Sequence, residues 1–212
     1  MQTFIEFHDR LHKECSYYSR HIGHLKALLE NGDWPRVVNG SDTGRVLLMG
    51  NVEITNALVM YLCRMMDKNE DANSVHRLSR NLPDVAAIKS FHNERMLAMG
   101  ISYNLDRHIT ARDSYVREWR EAKKPKHFHR IKQLRDAAIA HNLPRFDAQN
   151  APTYNEVIEL AERLCSIVDL AGYIAKSTRG IYQSQIEKAA QETSLLFSIL
   201  PSLEQLEAES PD

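Results

Sequence analysis

The chain has 212 residues, of which 43% are hydrophobic and 26% charged, and its formal net charge is −1. This composition is ordinary for one globular domain, and it excludes a uniformly basic protein, so any binding of nucleic acid must come from a local patch. With only 8 glycines and 7 prolines, the chain lacks the frequent turns of an all-β protein, which favours long helices.

The cysteines and the hydropathy of the chain indicate the cellular compartment in which we expect it. Cys15, Cys63 and Cys165 are far apart and lie among apolar neighbours, which predicts buried free thiols and a reducing compartment. The first ten residues are charged and contain no signal-peptide core. No apolar run approaches the roughly 20 residues that span a bilayer. We therefore expect a cytoplasmic protein with no membrane partner.

Three helices are predicted in the first 82 residues. The first covers residues 3–31 and should end in a left-handed stop at Asn31-Gly32. A second runs from about Ser41 or Asp42 to Met66, and because it is apolar on more than one side we expect it at the centre of a bundle. Ser74 caps a short third helix that runs through Leu82. The buried stripe predicted for the first helix is Phe4, Phe7, Leu11, Cys15, Tyr18, Ile22, Leu25 and Leu29.

The second part of the chain continues the helical pattern. Residues 84–122 form either one kinked helix or two, with an irregularity near Gly100, and residues 126–141 form a compact helix. A capping box at Thr153–Glu156 starts a long helix to Gly180, and a last helix ends at Pro201. The prediction is an all-α bundle of six or seven helices, with one domain over residues 1–202 and a disordered acidic tail over residues 203–212.

Arg135 and His141 are two residues that could carry chemistry. They lie on either side of a short run of mostly small residues. In an ideal helix six positions rotate by about 600°, so their side chains converge only because His141 lies where the helix ends and Arg135 is long. The alanines between them leave room for another helix. The plain alternative is a surface arginine and a histidine that the helix dipole favours in a last turn.

The segment Arg135-Asp136-Ala-Ala-Ile-Ala-His141 resembles the Arg–polar–(three or four residues)–Ala–His signature of the HEPN superfamily. The stretch Leu62-Cys-Arg64-Met-Met-Asp67, followed by Ser74 and Leu78, is similar to the abortive-infection branch of HEPN proteins. The resemblance covers about residues 60–180. It implies a helical bundle, and many members are metal-independent ribonucleases or toxins that dimerise through the signature helix. HEPN toxins silenced by nucleotidyltransferase antitoxins typically have a tyrosine two residues after the histidine, where this chain has Leu143.

The chemistry of these residue types agrees with cleavage of RNA by its own 2′-hydroxyl. Histidine serves as acid or base near neutral pH, and the planar guanidinium of arginine stabilises charge on phosphate oxygens. One chain offers one motif histidine, so a homodimer through the 126–141 helix is needed to supply the pair. The predicted catalytic residues are His141, Arg135 and Asp136. Asp136 either orients Arg135 or His141 across the dimer interface, or is a solvated helix carboxylate that pairs with a nearby Lys132 or arginine.

A basic run precedes the signature. Residues 112–135 contain nine basic and three acidic residues, with Tyr115, Trp119 and Phe128 interleaved. Such a run would attract RNA towards the signature, although a charge run is more often a solvated helix face. The predicted RNA-binding residues are Lys123, Lys124, Lys126, His127, His129, Arg130 and Lys132.

The functional prediction is a metal-independent endoribonuclease that needs no cofactor. The resemblance alone implies phage defence or a toxin role, with an antitoxin protein as a further partner. The histidines at 127 and 129, at 8 and 12, and at 21 and 24 suggest metal binding, but no cysteine or carboxylate cluster completes a site. Arg64 and Asp67 either form a local salt bridge that closes the loop after the second helix, or contact the catalytic residues and hold them in position. One alternative is a catalytically silent HEPN-like module that binds RNA, a nucleotide or a protein, and another is a helical monomer with no nucleic-acid role.

Overall fold

The structure is a computed structural model of the chain. It describes residues 1–31, 42–100, 102–136, 151–180 and 182–209; at residues 42–45, 47, 48, 125–127 and 199–209 it describes the backbone alone. Within these residues the chain forms eight helices and no strand, which confirms the predicted all-α class.

The first helix and the last two form the most extensive packing of the bundle. The first helix packs along the last two, the fifth packs along the seventh, and the second contacts the first, sixth and seventh. This arrangement brings the end of the second helix against the sixth, where the signature segment begins. The helices are α1 (Gln2–Glu30), α2 (Asp42–Met65), α3 (Val75–Arg80), α4 (Val85–Met99), α5 (Leu105–Ala122), α6 (Pro125–Leu134), α7 (Tyr154–Lys176) and α8 (Tyr182–Glu209).

The predicted apolar stripe of α1 is buried along most of its length. Leu29 is the exception, because it is 42% exposed while Leu28 is only 5% exposed and takes its place in the core. At 3.6 residues per turn the helix drifts relative to a simple three–four spacing, and the last buried position shifts by one. Asn31 has φ −93°, so the predicted left-handed stop does not lie at Asn31. Gly32 lies outside the described residues.

Side-chain caps start four of the helices, and each cap accepts a hydrogen bond from a backbone N–H in the first turn. Thr153 and Glu156 form the predicted capping box, with Thr153 N donating to Glu156 Oε2 at 2.7 Å. Gly100 has φ 65° and ends α4, so residues 84–122 form two helices. The four capping residues are Ser74, Asp84, Asn104 and Thr153.

Three predicted helix ends are wrong. α3 ends at Arg80 rather than Leu82, and the next residue, Asn81, has φ −99° and ψ 9°. α7 ends at Lys176 rather than Gly180, because Ser177 adopts the left-handed conformation with φ 58°. α8 continues through Pro201 to Glu209, so residues 203–209 of the predicted disordered tail are helical. Residues 202–209 are mostly leucine, glutamate, glutamine and alanine, which are strong helix formers, and a proline can interrupt a helix without ending it. Residues 210–212 lie outside the described part of the chain.

The central position predicted for α2 holds only for its second half. Leu58, Leu62 and Met65 have 0% exposure, whereas Val46 is 69% and Met49 68% exposed. The first half is apolar, but the described elements do not cover these two side chains. Among the described residues, no helix has both the length and the apolar character that crossing a bilayer requires.

Candidate functional site

The signature segment begins on α6. Pro125 occupies the first turn of this helix, where its missing N–H costs no hydrogen bond. Ile131 is completely buried, and the partly buried Phe128 and Leu134 also pack against the core, so α6 is anchored to α2 and α7. After Leu134 the backbone changes to a π-helical turn at residues 135–136. Residues 137–150, which include the predicted catalytic His141, lie outside the described residues.

The two described signature residues contact each other directly. The Arg135 Nε donates a hydrogen bond to Asp136 Oδ1 at 2.7 Å, and Arg135 Nη2 donates to the same oxygen. The Arg135 side chain is 28% exposed. The other oxygen of Asp136 lies 3.8 Å from Lys132 Nζ. Asp136 therefore contacts both Arg135 and Lys132.

The end of α2 lies beside this pair and shapes its electrostatics. Burial opposes the charge of Arg135, but the hydrogen bond to Asp136 and the nearby Asp67 outweigh it and raise the pKa of Arg135. Arg135 therefore keeps its positive charge. Burial raises the pKa of the Cys63 thiol to about 11, despite the nearby Arg135. Cys63 is thus a protonated core residue at neutral pH and not a nucleophile.

A pocket of about 310 Å³ adjoins this pair, and we call it the α5–α6 pocket. Lys132 connects the two, because it lines the pocket and also approaches Asp136. None of its described lining residues is an aspartate or a glutamate, so these walls combine positive charge with aromatic and apolar surface. Its lining residues are Met66, Lys68, His76, Trp119, Lys123, Phe128, His129 and Lys132.

Inside the α5–α6 pocket, a lysine and a histidine lie close to the Trp119 ring. The Lys123 Nζ lies 5.3 Å from the centre of the Trp119 ring, and the His76 ring lies 5.9 Å from the same indole. Burial lowers the pKa of His76, and the positive charges of Arg80, Lys68 and Lys123 lower it further. A pocket with this field attracts anions, and its rings offer faces on which a base can stack.

The seven predicted RNA-binding residues separate into three groups. Lys123, His129 and Lys132 line the α5–α6 pocket. Lys124 pairs with Glu121 at 2.5 Å, and Arg130 donates to Glu156 Oε1 at 2.8 Å and to the Ala151 carbonyl at 2.7 Å, which ties α6 to the start of α7. The side chains of Lys126 and His127 lie outside the described residues.

Sequence reasoning missed three residues of this pocket, Met66, Lys68 and His76. They follow α2 or belong to α3, about fifty residues before α6 in the chain. Their positions carried no periodic or motif signal of ligand binding. Only the contact between α2 and α6 places them opposite the basic run.

Arg64 and Asp67, at the end of α2, contact different partners. Arg64 does not pair with Asp67; its Nη2 donates to Glu14 Oε2 of α1 at 2.7 Å. Asp67 Oδ1 accepts a hydrogen bond from Asn69 N at 2.9 Å and so stabilises the turn after α2. The local salt bridge suggested for Arg64 and Asp67 is therefore wrong, because Arg64 reaches another helix instead.

Two of the histidines of α1, His12 and His24, contact polar side chains of other helices. His12 Nδ1 lies within hydrogen-bond distance of the Tyr182 hydroxyl, and His24 contacts Asn51 Oδ1 at 2.8 Å and Thr193 Oγ1 at 3.1 Å. In the described part of the chain, no group of three or more histidine, cysteine, aspartate or glutamate residues is arranged to hold a metal ion.

Comparison with known proteins gives one match. The family model described as AbiU2, HEPN_AbiU2, matches residues 1–194, which is most of the chain and includes all of the signature segment. Comparisons with curated proteins and with solved structures each gave no significant match. The fold, the signature residues and the extent of this match agree, and the chain belongs to the HEPN AbiU2 family, an abortive-infection type of HEPN protein.

Proposed function

We propose that this AbiU2-family protein is a metal-independent endoribonuclease that acts as a homodimer in phage defence or as a toxin. The observation that carries the proposal is the position of Arg135. Its partly buried guanidinium is oriented by Asp136, and the cationic and aromatic α5–α6 pocket adjoins this pair through Lys132. A fixed guanidinium beside an anion-attracting pocket suits recognition of a phosphodiester.

The proposed reaction is transesterification within the RNA. One motif histidine takes the proton of a 2′-hydroxyl, the 2′-oxygen forms a bond to phosphorus, and the bond from phosphorus to the 5′-oxygen breaks. A second motif histidine gives a proton to the departing 5′-oxygen. The products are a 2′,3′-cyclic phosphate and a 5′-hydroxyl. Arg135 stabilises the negative charge that builds up on the phosphate oxygens, and Asp136 keeps the guanidinium in place.

The homodimer is a requirement of this mechanism, because each chain has one His141. A two-fold axis beside the signature helices would bring two copies of Arg135 and two of His141 to one phosphate. The α5–α6 pocket of each subunit would then hold the RNA on either side of the cleaved bond. In this role Lys123 and Lys132 contact phosphates, and Trp119 and Phe128 stack with bases.

The decisive experiment incubates purified protein with end-labelled single-stranded RNA in the presence of EDTA. We expect cleavage with 2′,3′-cyclic phosphate and 5′-hydroxyl ends. His141→Ala and Arg135→Ala should each reduce the rate by about a hundredfold or more. Arg20→Ala is the matched control, because Arg20 is an exposed arginine of α1 away from the signature. Circular dichroism confirms that each variant is folded, and sedimentation measures the dimer.

Equal cleavage by wild type and His141→Ala would refute the mechanism. RNA binding without cleavage would instead support the silent binding module, and binding should then weaken when Lys123 and Lys132 are replaced by glutamine. The cellular role has its own test: expression of the wild-type chain should arrest bacterial growth, and expression of His141→Ala should not. An antitoxin protein would be recognised as a partner that restores growth.

A further inference from the structure

A second pocket lies at the other end of α5, and we call it the histidine–tyrosine pocket. Its volume is about 310 Å³, and it is enclosed by the end of α4, residues 102–104, the first turns of α5 and the end of α7. On α5, Arg107 lines this pocket and Trp119 lines the α5–α6 pocket. Twelve residues at 1.5 Å per residue separate them by about 18 Å. The two pockets are therefore distinct.

Four rings form a continuous row in this pocket. Tyr103 stacks on His92 with 4.8 Å between ring centres, His92 lies 4.1 Å from His108, and His108 stacks on Tyr173 at 5.0 Å. The two histidines are 3% and 1% exposed, whereas the tyrosines at the ends are partly exposed. The row presents tyrosine rings on which a planar base can stack.

Hydrogen bonds hold the two histidines in this orientation. His92 Nε2 donates to the Ile174 carbonyl at 3.1 Å, and His108 Nδ1 donates to the Asn104 carbonyl at 2.8 Å. His108 Nε2 also contacts Ser177 Oγ at 2.9 Å. Because backbone carbonyls fix the histidines, the row exists before any ligand arrives, and little ordering would be needed on binding.

Positively charged side chains lie around the row. Arg95 and Arg107 line the pocket, and Arg107 also lines a neighbouring cavity of about 400 Å³ together with Tyr173 and Arg179. Among the residues that the structure describes, no aspartate or glutamate lines either cavity. Within the described residues, none of these three arginines forms an ion pair with a carboxylate, whereas Lys176 at the pocket edge is held by Asp9 at 2.6 Å.

Unpaired guanidinium groups next to aromatic rings match one class of ligand. Arginine binds phosphate through paired N–H donors, and tyrosine rings stack with nucleobases. Because the described lining contains arginines and no carboxylate, it favours an anionic ligand over a cation or a metal ion. Burial lowers the pKa of His92 against the opposing effect of its hydrogen bond to the Ile174 carbonyl, and the nearby Arg95 lowers it further.

We propose that the histidine–tyrosine pocket binds a nucleotide, with its phosphate on Arg95 and Arg107 and its base against Tyr103 or Tyr173. The nucleotide is either free or part of an RNA chain, since both present a phosphate next to a base. This site is separate from Arg135, and the proposal does not depend on RNA cleavage.

Calorimetric titration of the full chain tests the proposal, with the four ribonucleoside 5′-monophosphates, inorganic phosphate, adenosine and a six-nucleotide RNA as probes. At least one monophosphate should bind at least about tenfold more tightly than phosphate or adenosine. Arg107→Gln should weaken its binding by about tenfold or more. Arg20→Gln, the same change at an exposed arginine of α1, should leave it unaltered. Arg107 is exposed, so this variant should fold.

A second pair of variants tests stacking. Tyr103→Leu should weaken nucleotide binding, whereas Tyr103→Phe should retain it, because it loses only the hydroxyl that donates to Asn93 Oδ1 at 2.6 Å. Binding only of the RNA, lost in Arg107→Gln but not in the control Arg20→Gln, would identify a nucleotide within RNA as the ligand. The proposal is overturned if neither monophosphate nor RNA binds, or if Arg107→Gln binds like the wild type.

Discussion

Replacing Gly23 with alanine measures how closely α1 and α8 pack. An ideal Cβ at this position would lie 2.2 Å from the Ile186 carbonyl oxygen, 2.8 Å from Ala189 Cβ and 3.0 Å from Ala190 N. Two of these three atoms belong to the backbone, so rotation of a side chain cannot relieve the overlap. The two helices must move apart, which loosens the contacts on either side of Gly23.

The expected cost follows from two opposing effects. Overpacking a well-packed core costs about 1–3 kcal/mol, and a backbone clash belongs at the upper end of that range. Alanine in a helix interior is about 1 kcal/mol more favourable than glycine. The net loss in the free energy of unfolding is therefore about 2 kcal/mol. In a protein of this size, that loss lowers Tm by about 4–8 °C.

Urea unfolding followed by far-UV circular dichroism provides the assay. Gly23→Ala should lower the midpoint without changing the slope. Gly50→Ala in α2 is the matched control, because within the described part of the chain no heavy atom lies within 4 Å of its ideal Cβ. That variant should gain about 0.5–1 kcal/mol from helix propensity alone. If Gly23→Ala is as stable as Gly50→Ala, the close approach of α1 and α8 is wrong.

Two further predictions concern buried polar groups. Tyr115 has 0% exposure, and its hydroxyl has no hydrogen-bond partner among the described residues. Tyr115→Phe should therefore leave the free energy of unfolding unchanged or raise it by about 1 kcal/mol. A marked decrease of that free energy in urea unfolding would contradict this. Burial lowers the pKa values of His8, His21 and His92. Below about pH 6.5 the unfolded chain therefore binds more protons at these positions than the folded chain. The free energy of unfolding should therefore decrease as the pH is lowered. Urea midpoints at pH 7.5 and 5.0 test this, and an equal or higher midpoint at pH 5.0 would contradict it.

The two pockets give α5 a role at both of its ends. Its last turn carries Trp119 towards the α5–α6 pocket, and its first turns carry Arg107 and His108 towards the histidine–tyrosine pocket. Between them, Glu118 pairs with Arg163 of α7 at 2.7 Å, which helps to hold α5 against α7. A ligand in either pocket would thus contact the same rigid helix.

Local chemistry determined much of this protein from the sequence alone. Apolar residues repeating every three or four positions defined most of the helices, because a helix at the surface of a bundle buries one stripe of its residues. Ser74 and Thr153 marked helix starts, because their side chains satisfy N–H groups within the same turn. The signature from Arg135 to His141 identified the family for the same reason, since its residues are contiguous in the chain.

The tertiary structure decided what depends on distant parts of the chain meeting. Asp136 was a candidate partner of Arg135 from the sequence, but the proximity of Cys63 and Asp67 was not. The row from Tyr103 to Tyr173 joins three helices, and no spacing in the sequence predicts which rings will stack. Helix formation is governed by neighbours within about four residues, whereas a pocket is governed by how whole helices pack. That packing is the sum of many weak contacts that no single motif encodes.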